Sequence, residues 1–264
     1  MKNVVKGYNP NMYILGVRFD NLTLAETLAT IREFLSERRP RIVVTPNMDF
    51  LMLARSNPSF REILNQADLS LCDSMPLFWA ARWYENPLPA RIAGSDLFPM
   101  ICELASQEGW KVYLFGAMPG IAQETQSKLE SLFPPLSIVG ASSPPKKFDI
   151  NSPDAMDIIA KIIKVDPDIL FVALGPPKQE EFIFKYKDQL KVPLTIGVGG
   201  AFDFFVGHKK RAPKWLQNLG LEWAHRLFQE PKRLWWRYLM RDSLCPLLIC
   251  LEIFQNSIFS KFKK

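Results

Sequence analysis

Seven short runs of β-branched and aromatic residues punctuate the chain: MYILGV at 12–17, RIVVT at 41–45, DLSLC at 68–72, WKVYLFG at 110–116, LSIVG at 136–140, DILFVALG at 168–175 and PLTIGVG at 193–199. Between most of them lie ten or more residues whose apolar positions recur at helical spacing. In TLAETLATIREFLSERR (23–39), Thr23 and Glu26 have the spacing of a capping box. Strand and helix in alternation predict a parallel sheet containing all seven runs. The runs are apolar throughout instead of alternating, the pattern of strands covered by helices on both faces. The predicted class is α/β, a Rossmann-like, mostly parallel sheet flanked by helices.

After Gly207 this rhythm stops and the chain becomes basic, Trp-rich and helical. The change predicts a boundary near Arg211 to Pro213, with a Rossmann-like domain over 1–212 and a helical, amphipathic appendage over 213–264. The longest apolar run, LCPLLICLEIF (244–254), has eleven residues including Glu252. That is well short of the ~20 that span a bilayer, so the segment is expected to lie on a membrane and not to cross it.

Charge sharpens this division. The net charge is +6, yet nine Lys and Arg face only Glu222 and Glu230 between Gly207 and Arg241, so this stretch carries +7 and the rest about −1. A local excess points to a polyanion site or a membrane-facing segment. Cys72, Cys102, Cys245 and Cys250 form no CxxC pair and no ligand spacing with His208 or His225, so neither a disulfide framework nor a metal site is expected. No export signal is recognisable in MKNVVKGYNPN, and a cytoplasmic location is expected.

In sheets of this kind ligands bind beyond the carboxyl ends of the strands. VVTPNMDF (43–50) places Thr45 and Asn47 there, as ligand groups or as a helix cap. ADLSLCDSMPL (67–77) ends a strand with Asp73, a candidate general base or a cap for the helix after Pro76. YLFGAMPGIAQET (113–125) turns at Gly116 in a shape that brings backbone amides to phosphate. IGVGGAF (196–202) carries Gly199 at a strand end, lacks the last glycine of a dinucleotide fingerprint, and shows no clear helix start. In LGPPKQEEF (174–182) a helix start accounts for Pro177, Glu180 and Glu181 and leaves Gln179 unexplained. Asp166 and Asp168 form a DxD, but before their strand, at the amino edge, where a turn is the expected role.

RLFQEPKRLWWRYLM (226–240) holds Arg226, Arg233 and Arg237 beside a Trp pair. At roughly 100° per residue the three share one stripe of a continuous helix. Pro231 instead favours a second helix, on which Arg233, Arg237 and Arg241 fall at i, i+4 and i+8. Trp235, Trp236, Tyr238 and the apolar run beyond give the segment the character of an interfacial helix.

Taken together, VVTPNMDF, ADLSLCDSMPL, RIAGSDLFP, LGPPKQE, GVGGAFDFFVGHKKRAP and LGLEWAHRLFQEPKRLWWRYL resemble the WecG/TagA/CpsF family of bacterial glycosyltransferases, from about residue 12 to residue 240. The resemblance implies a metal-independent enzyme without cofactor. It would move a hexosyl group from a UDP-sugar donor onto a polyprenyl-diphosphate-linked sugar in cell-surface or exopolysaccharide biosynthesis, at the inner face of the cytoplasmic membrane. It implies Asp73 as catalytic base, Thr45 and Asn47 in the active site, and Arg91 and Gln179 as holders of donor or acceptor. Arg226, Arg233 and Arg237 would be delivered to the site by a membrane-contacting appendage. One departure stands out: Ser74 follows Asp73 where the family usually has glycine.

The chemistry agrees. Charge develops on the departing diphosphate, and guanidiniums can meet it where no metal does. An acceptor hydroxyl must lose a proton, which Asp73 can take, and a single displacement inverts the anomeric centre. Two other readings compete: a sugar-nucleotide epimerase on the same scaffold, and a nucleic-acid module built on the arginines and aromatics. The apolar tail would serve equally to cover a second copy of the chain in a homo-oligomer.

Overall fold

The structure is a computed structural model that describes residues 12–262. Its centre is a six-stranded, all-parallel sheet built from β3 (Arg41–Val44), β4 (Leu69–Ser70), β5 (Lys111–Gly116), β6 (Ser137–Ser142), β7 (Ile169–Ala173) and β8 (Leu194–Gly197), in the order β4-β3-β8-β7-β5-β6. The α/β, Rossmann-like class expected from the pattern is what the chain adopts.

The first apolar run is not one of these strands. It folds instead with the residues after it into a separate antiparallel hairpin of β1 (Met12–Ile14) and β2 (Val17–Phe19), with Ile14 opposite Val17. The connection is the two residues Leu15 and Gly16, at φ 48° and 76°. Two successive positive φ values make the hairpin turn whose twist matches that of its strands. An apolar residue in the first turn position concealed the reversal in the sequence.

Side chains alternate across the sheet into two cores. Ile42, Val44, Tyr113, Phe115, Leu170 and Val172 face α2 (Met48–Ser56), α3 (Pro58–Gln66), α7 (Pro153–Val165) and α8 (Lys178–Leu190). Val43, Val112, Leu114, Ile169, Phe171 and Ile196 face α1 (Leu24–Glu37), α5 (Gly94–Glu108), α6 (Ile121–Leu132) and α9 (Ala201–Val206). Helices cover both faces of the inner strands β3, β5, β7 and β8, which is why these strands are apolar at most positions. The capping box of α1 forms, Thr23 Oγ1 accepting from the Glu26 amide and the Glu26 carboxylate from the Thr23 amide.

Contrary to the sequence expectation, a helix does begin at Gly200: α9 opens immediately after the GVGG turn. Phe202 on α9 meets Phe98 of α5 at 5.2 Å, and Phe98 meets Phe171 of β7 edge-on at 4.8 Å. Such ring pairs add about 0.5–1.5 kcal/mol each to the burial energy, so this short helix is anchored by its aromatics more than by its length.

The last helices are α10 (Lys214–Asn218), α11 (Glu222–Gln229), α12 (Pro231–Trp235), a π-helical turn (Trp236–Arg241) and α13 (Cys245–Phe262); α4 (Met75–Ala80) lies earlier, after β4. Leu234, Cys245 and Ile249 are buried, and the Glu252 carboxylate accepts from the Leu15 amide at 3.0 Å and the Tyr84 hydroxyl at 2.5 Å. The carboxyl-terminal segment is thus packed onto α2 and the hairpin turn. Among the described residues no helix is long and apolar enough to cross a membrane.

Candidate functional site

Two adjoining cavities open at the carboxyl ends of the strands. The smaller, about 230 Å³, is floored by strand tips and their loops, including Thr45, Gly175, Gln179, Gly199 and Gly200, and roofed by Arg226, Arg233 and Arg237. The larger, about 310 Å³, runs outward past Met75, Pro76 and Arg91 to Trp223, Leu239 and Pro246. Asn47, Asp73, Arg226, Arg237 and Tyr238 line both. Together the cavities fall in the ~300–1,000 Å³ range of small-molecule sites.

Of the residues singled out from sequence, nine reach this place. Asp73, Asn47, Arg226 and Arg237 form the shared wall; Thr45, Gln179, Gly199 and Arg233 line the smaller cavity, and Arg91 the larger. Gly116 lines neither. It sits at φ 126°, and a Cβ there would fall 2.5 Å from the Ala173 carbonyl oxygen, so glycine at this position permits the close approach of β5 to β7.

Asp73 is half-buried, and its carboxylate has no hydrogen bond and no ion pair within 4 Å among the described residues. The N-cap of α4 is Ser74, not Asp73, and no side chain caps that helix. Ser74 lies at φ −133°, extended backbone open to any residue, so its departure from glycine carries no backbone strain. Burial is the largest influence on Asp73 and the negative Glu222 adds to it; Arg91, Arg226 and Arg211 oppose them, leaving the carboxyl pushed up to about 7. A carboxyl poised there is half ionised at neutral pH and strong enough to accept a proton.

Asn47 caps α2, its Oδ1 accepting from the Phe50 amide at 3.4 Å. Gln179 is buried and braces the site: its Oε1 accepts from the Gly175 and Gly199 amides, both at 3.0 Å, joining the loops after β7 and β8. Its Nε2 donates to Glu180 Oε1 at 2.6 Å. A Cβ on Gly197 would lie 2.7 Å from that Nε2 and 2.9 Å from Glu180 Oε1, so the brace needs glycine in β8. Burial pushes the Glu180 carboxyl up to about 8, against the hydrogen bond from Gln179, and its Oε2 has no hydrogen-bond partner.

The arginines do not lie on one helical stripe. Arg226 on α11 donates to Glu222 at 3.3 Å and stacks 4.6 Å over the Phe204 ring. Arg233 turns back to Glu230. Arg237 pairs with buried Asp49 of α2 at 2.6 Å, Arg241 pairs with the same carboxylate, and Asp242 stands against both guanidiniums at 3.5 and 3.1 Å. The break at Pro231 and the wider π-turn redirect the side chains that regular spacing would align.

Sequence reasoning missed Asp49, Asp96, Arg211, Glu222 and Asp242. Asp96 receives both terminal nitrogens of Arg211, at 2.5 and 2.8 Å, and Arg91 at 3.2 Å. Asp49 and Asp96 stand in the first turns of α2 and α5, where a carboxylate reads as an ordinary helix-dipole partner. The DxD is elsewhere: Asp168 accepts from Arg38 and the Lys111 amide at the amino edge, and Asp166 ends α7. Among the described residues no group of three or more His, Cys, Asp or Glu is arranged to hold a metal ion.

The model of one family, the glycosyl transferase WecG/TagA/CpsF family, matches residues 12–258. A protein of Bacillus spizizenii (strain W23) is 34% identical over 207 residues, 78% of this chain and 77% of the relative. One of Bacillus subtilis (strain 168) is 32% identical over 208 residues, 79% and 78%. One of Staphylococcus aureus (strain MW2) is 31% identical over 224 residues, 84% and 85%. Each of the three is named N-acetylglucosaminyldiphosphoundecaprenol N-acetyl-beta-D-mannosaminyltransferase.

Proposed function

The chain belongs to the WecG/TagA/CpsF family of glycosyl transferases, and from that premise we propose that it moves N-acetylmannosamine from UDP to N-acetylglucosamine carried on a polyprenyl diphosphate. The relatives' names support the sugar, the acceptor and the β linkage. One observation carries the assignment of roles: the unpaired Asp73 carboxylate stands on the wall shared by a polar cavity at the strand tips and a larger one leading out to exposed apolar side chains.

In this reading the nucleotide-sugar occupies the smaller cavity. The loop at Gly200 and the guanidiniums of Arg226, Arg233 and Arg237 face its diphosphate. The acceptor sugar enters the larger cavity. Its hydroxyl oxygen bonds to the anomeric carbon, the bond from that carbon to the diphosphate oxygen breaks, UDP leaves with the electron pair, and Asp73 takes the hydroxyl proton. Attack opposite the leaving group inverts the centre. Guanidiniums held in place before the reaction stabilise the departing charge without reorganising, which is the role a divalent ion plays elsewhere.

Arg91 holds the acceptor side. Gln179 acts on the donor side through the loops it braces, its own amide being engaged with protein partners. Residues 213–264 act as an appendage to the 1–212 domain, completing the site and meeting the cytoplasmic membrane from its inner face. Trp235, Trp236, Leu239, Met240, Leu244, Leu247, Leu251 and Phe254 are all exposed there, and Leu239 among them lines the larger cavity, whose mouth would open toward this surface. A polyprenyl tail emerging from that mouth would remain in the bilayer, with nearby Lys and Arg adding roughly 1 kcal/mol each on anionic lipid.

The test is turnover of UDP-N-acetylmannosamine with a short-chain lipid-diphosphate N-acetylglucosamine, for the unaltered chain and for Asp73→Asn, with and without EDTA. Product should form with EDTA present and be nearly lost in the variant. Near-normal turnover by Asp73→Asn removes Asp73 as base, and abolition by EDTA removes the arginine reading.

A further inference from the structure

The arrangement contains a conflict. Cations gathered for a diphosphate also stabilise an ionised carboxylate, and a carboxylate so stabilised takes up protons poorly. Arg91 from the loop before α5 and Arg226 from α11 line the larger cavity with Asp73, and Arg211, from the linker before α10, adds a further positive charge that acts on it. The other charges on the larger cavity's wall, Asp49, Arg237 and Asp242, are engaged with one another. Arg91 and Arg211 share Asp96. Among the described residues Arg226 has one carboxylate partner within reach, Glu222.

Glu222 is the first residue of α11, its side chain is 21% exposed, and it lines the larger cavity with Asp73. Its Oε1 sits 3.3 Å from Arg226 Nη2 and 3.9 Å from Arg211 Nε. This single oxygen is shared by Arg226 and by Arg211, which Asp96 also holds, and the Nε atoms of both arginines are buried without a hydrogen-bond partner. Glu222 is also the one negative charge among the principal influences on Asp73.

We propose that Glu222 is a positioning residue for proton transfer, offsetting Arg211 and Arg226 beside Asp73 so that the appendage brings cations to the leaving group without disarming the base. The proposal rests on Asp73 being that base. Glu222 lies on α11 with Arg226, so the helix that carries the cation also carries the charge that offsets it.

The experiment is the pH dependence of kcat/KM with UDP-N-acetylmannosamine and the lipid-diphosphate acceptor, for the unaltered chain, Glu222→Gln, Glu222→Asp and Asp73→Asn, with thermal unfolding as the folding control. The unaltered chain should lose activity on the acid side near the Asp73 value of about 7. In Glu222→Gln that limb should move down by about 0.5–1 pH unit, and the plateau should fall several-fold because the base is weaker. Glu222→Asp, keeping the charge, should return the limb toward its original position. A limb lost in Asp73→Asn but unmoved in Glu222→Gln overturns this inference alone. A limb abolished by Glu222→Gln makes Glu222 the proton acceptor and overturns it as well. A limb retained in Asp73→Asn removes the reading of Asp73 and this inference together.

Discussion

The two ends of the central sheet treat their charges in opposite ways, and the residues flanking β4 display both within six positions. At its amino end Asp68 is saturated: Arg41 at 3.0 Å, Lys187 at 3.2 Å and the Ile42 amide at 2.8 Å all donate to it. Nearby, Asp168 takes Arg38 at 2.7 Å and the Lys111 amide at 2.8 Å. At the carboxyl end Asp73 has no such partner, and the charges around it are held apart from it by their own counterions. Paired carboxylates stitch strands together. A carboxylate left unpaired beside two cavities is costly to keep, and in the proposed function a ligand completes the set there.

The sharpest test of this contrast exchanges one atom at each end. Asp73→Asn should lower turnover by ~10²–10⁴-fold with no loss of stability, whereas Asp68→Asn should leave turnover near normal and reduce unfolding free energy by about 1–3 kcal/mol in urea titrations. The reverse pattern would dissolve the distinction between the two ends.

Asp49→Asn tests whether the carboxyl end is assembled by the appendage. It removes the carboxylate that Arg237 and Arg241 share, and Asp242 only partly replaces it. Removing one partner of a buried pair costs ~3–5 kcal/mol; with Asp242 in place about 2–3 kcal/mol is expected, with faster tryptic cleavage between Lys232 and Arg241.

A smaller effect follows from pH. Asp73 and Glu180, at about 7 and about 8 in the fold, lie above the ~4 of an unfolded carboxyl. The folded state therefore holds these protons longer, so the contribution of these two groups to stability is full below about pH 4, falls as pH rises toward the folded values, and levels off above them. Asp73→Asn and Glu180→Gln should each flatten that decline in melting temperatures measured from pH 5 to pH 9. Glu180→Gln should preserve the brace, since its amide oxygen can still accept from Gln179.

The smallest effect is expected at the surface. Trp236→Ala should weaken binding to anionic vesicles a few-fold and leave turnover of a water-soluble acceptor unchanged, separating the appendage's two tasks.

Much of the fold was legible because its signals are local. Six of the seven apolar runs became strands of the parallel sheet, and a parallel β/α order brings loops such as those of Thr45, Asp73 and Gly199 to one edge whatever the details of packing. The hairpin was hidden because a turn with leucine in it looks like strand, and α9 because six residues are too few to show a period. Gln179 could be noticed as unexplained, but its two acceptor bonds lie on loops that meet only once the sheet has formed.

By itself, then, the sequence determined the α/β sheet, the edge at which chemistry gathers and the surplus of cations near the end of the chain, since periodicity and composition act over a few neighbouring residues. Only the tertiary structure decided that Arg91, Arg211 and Arg226 act on Asp73 while engaged by Asp96 and Glu222, and that Arg237 is engaged by Asp49. Ion pairs and hydrogen bonds act over a few ångströms of space, and Asp49 and Arg241 are 192 residues apart along the chain.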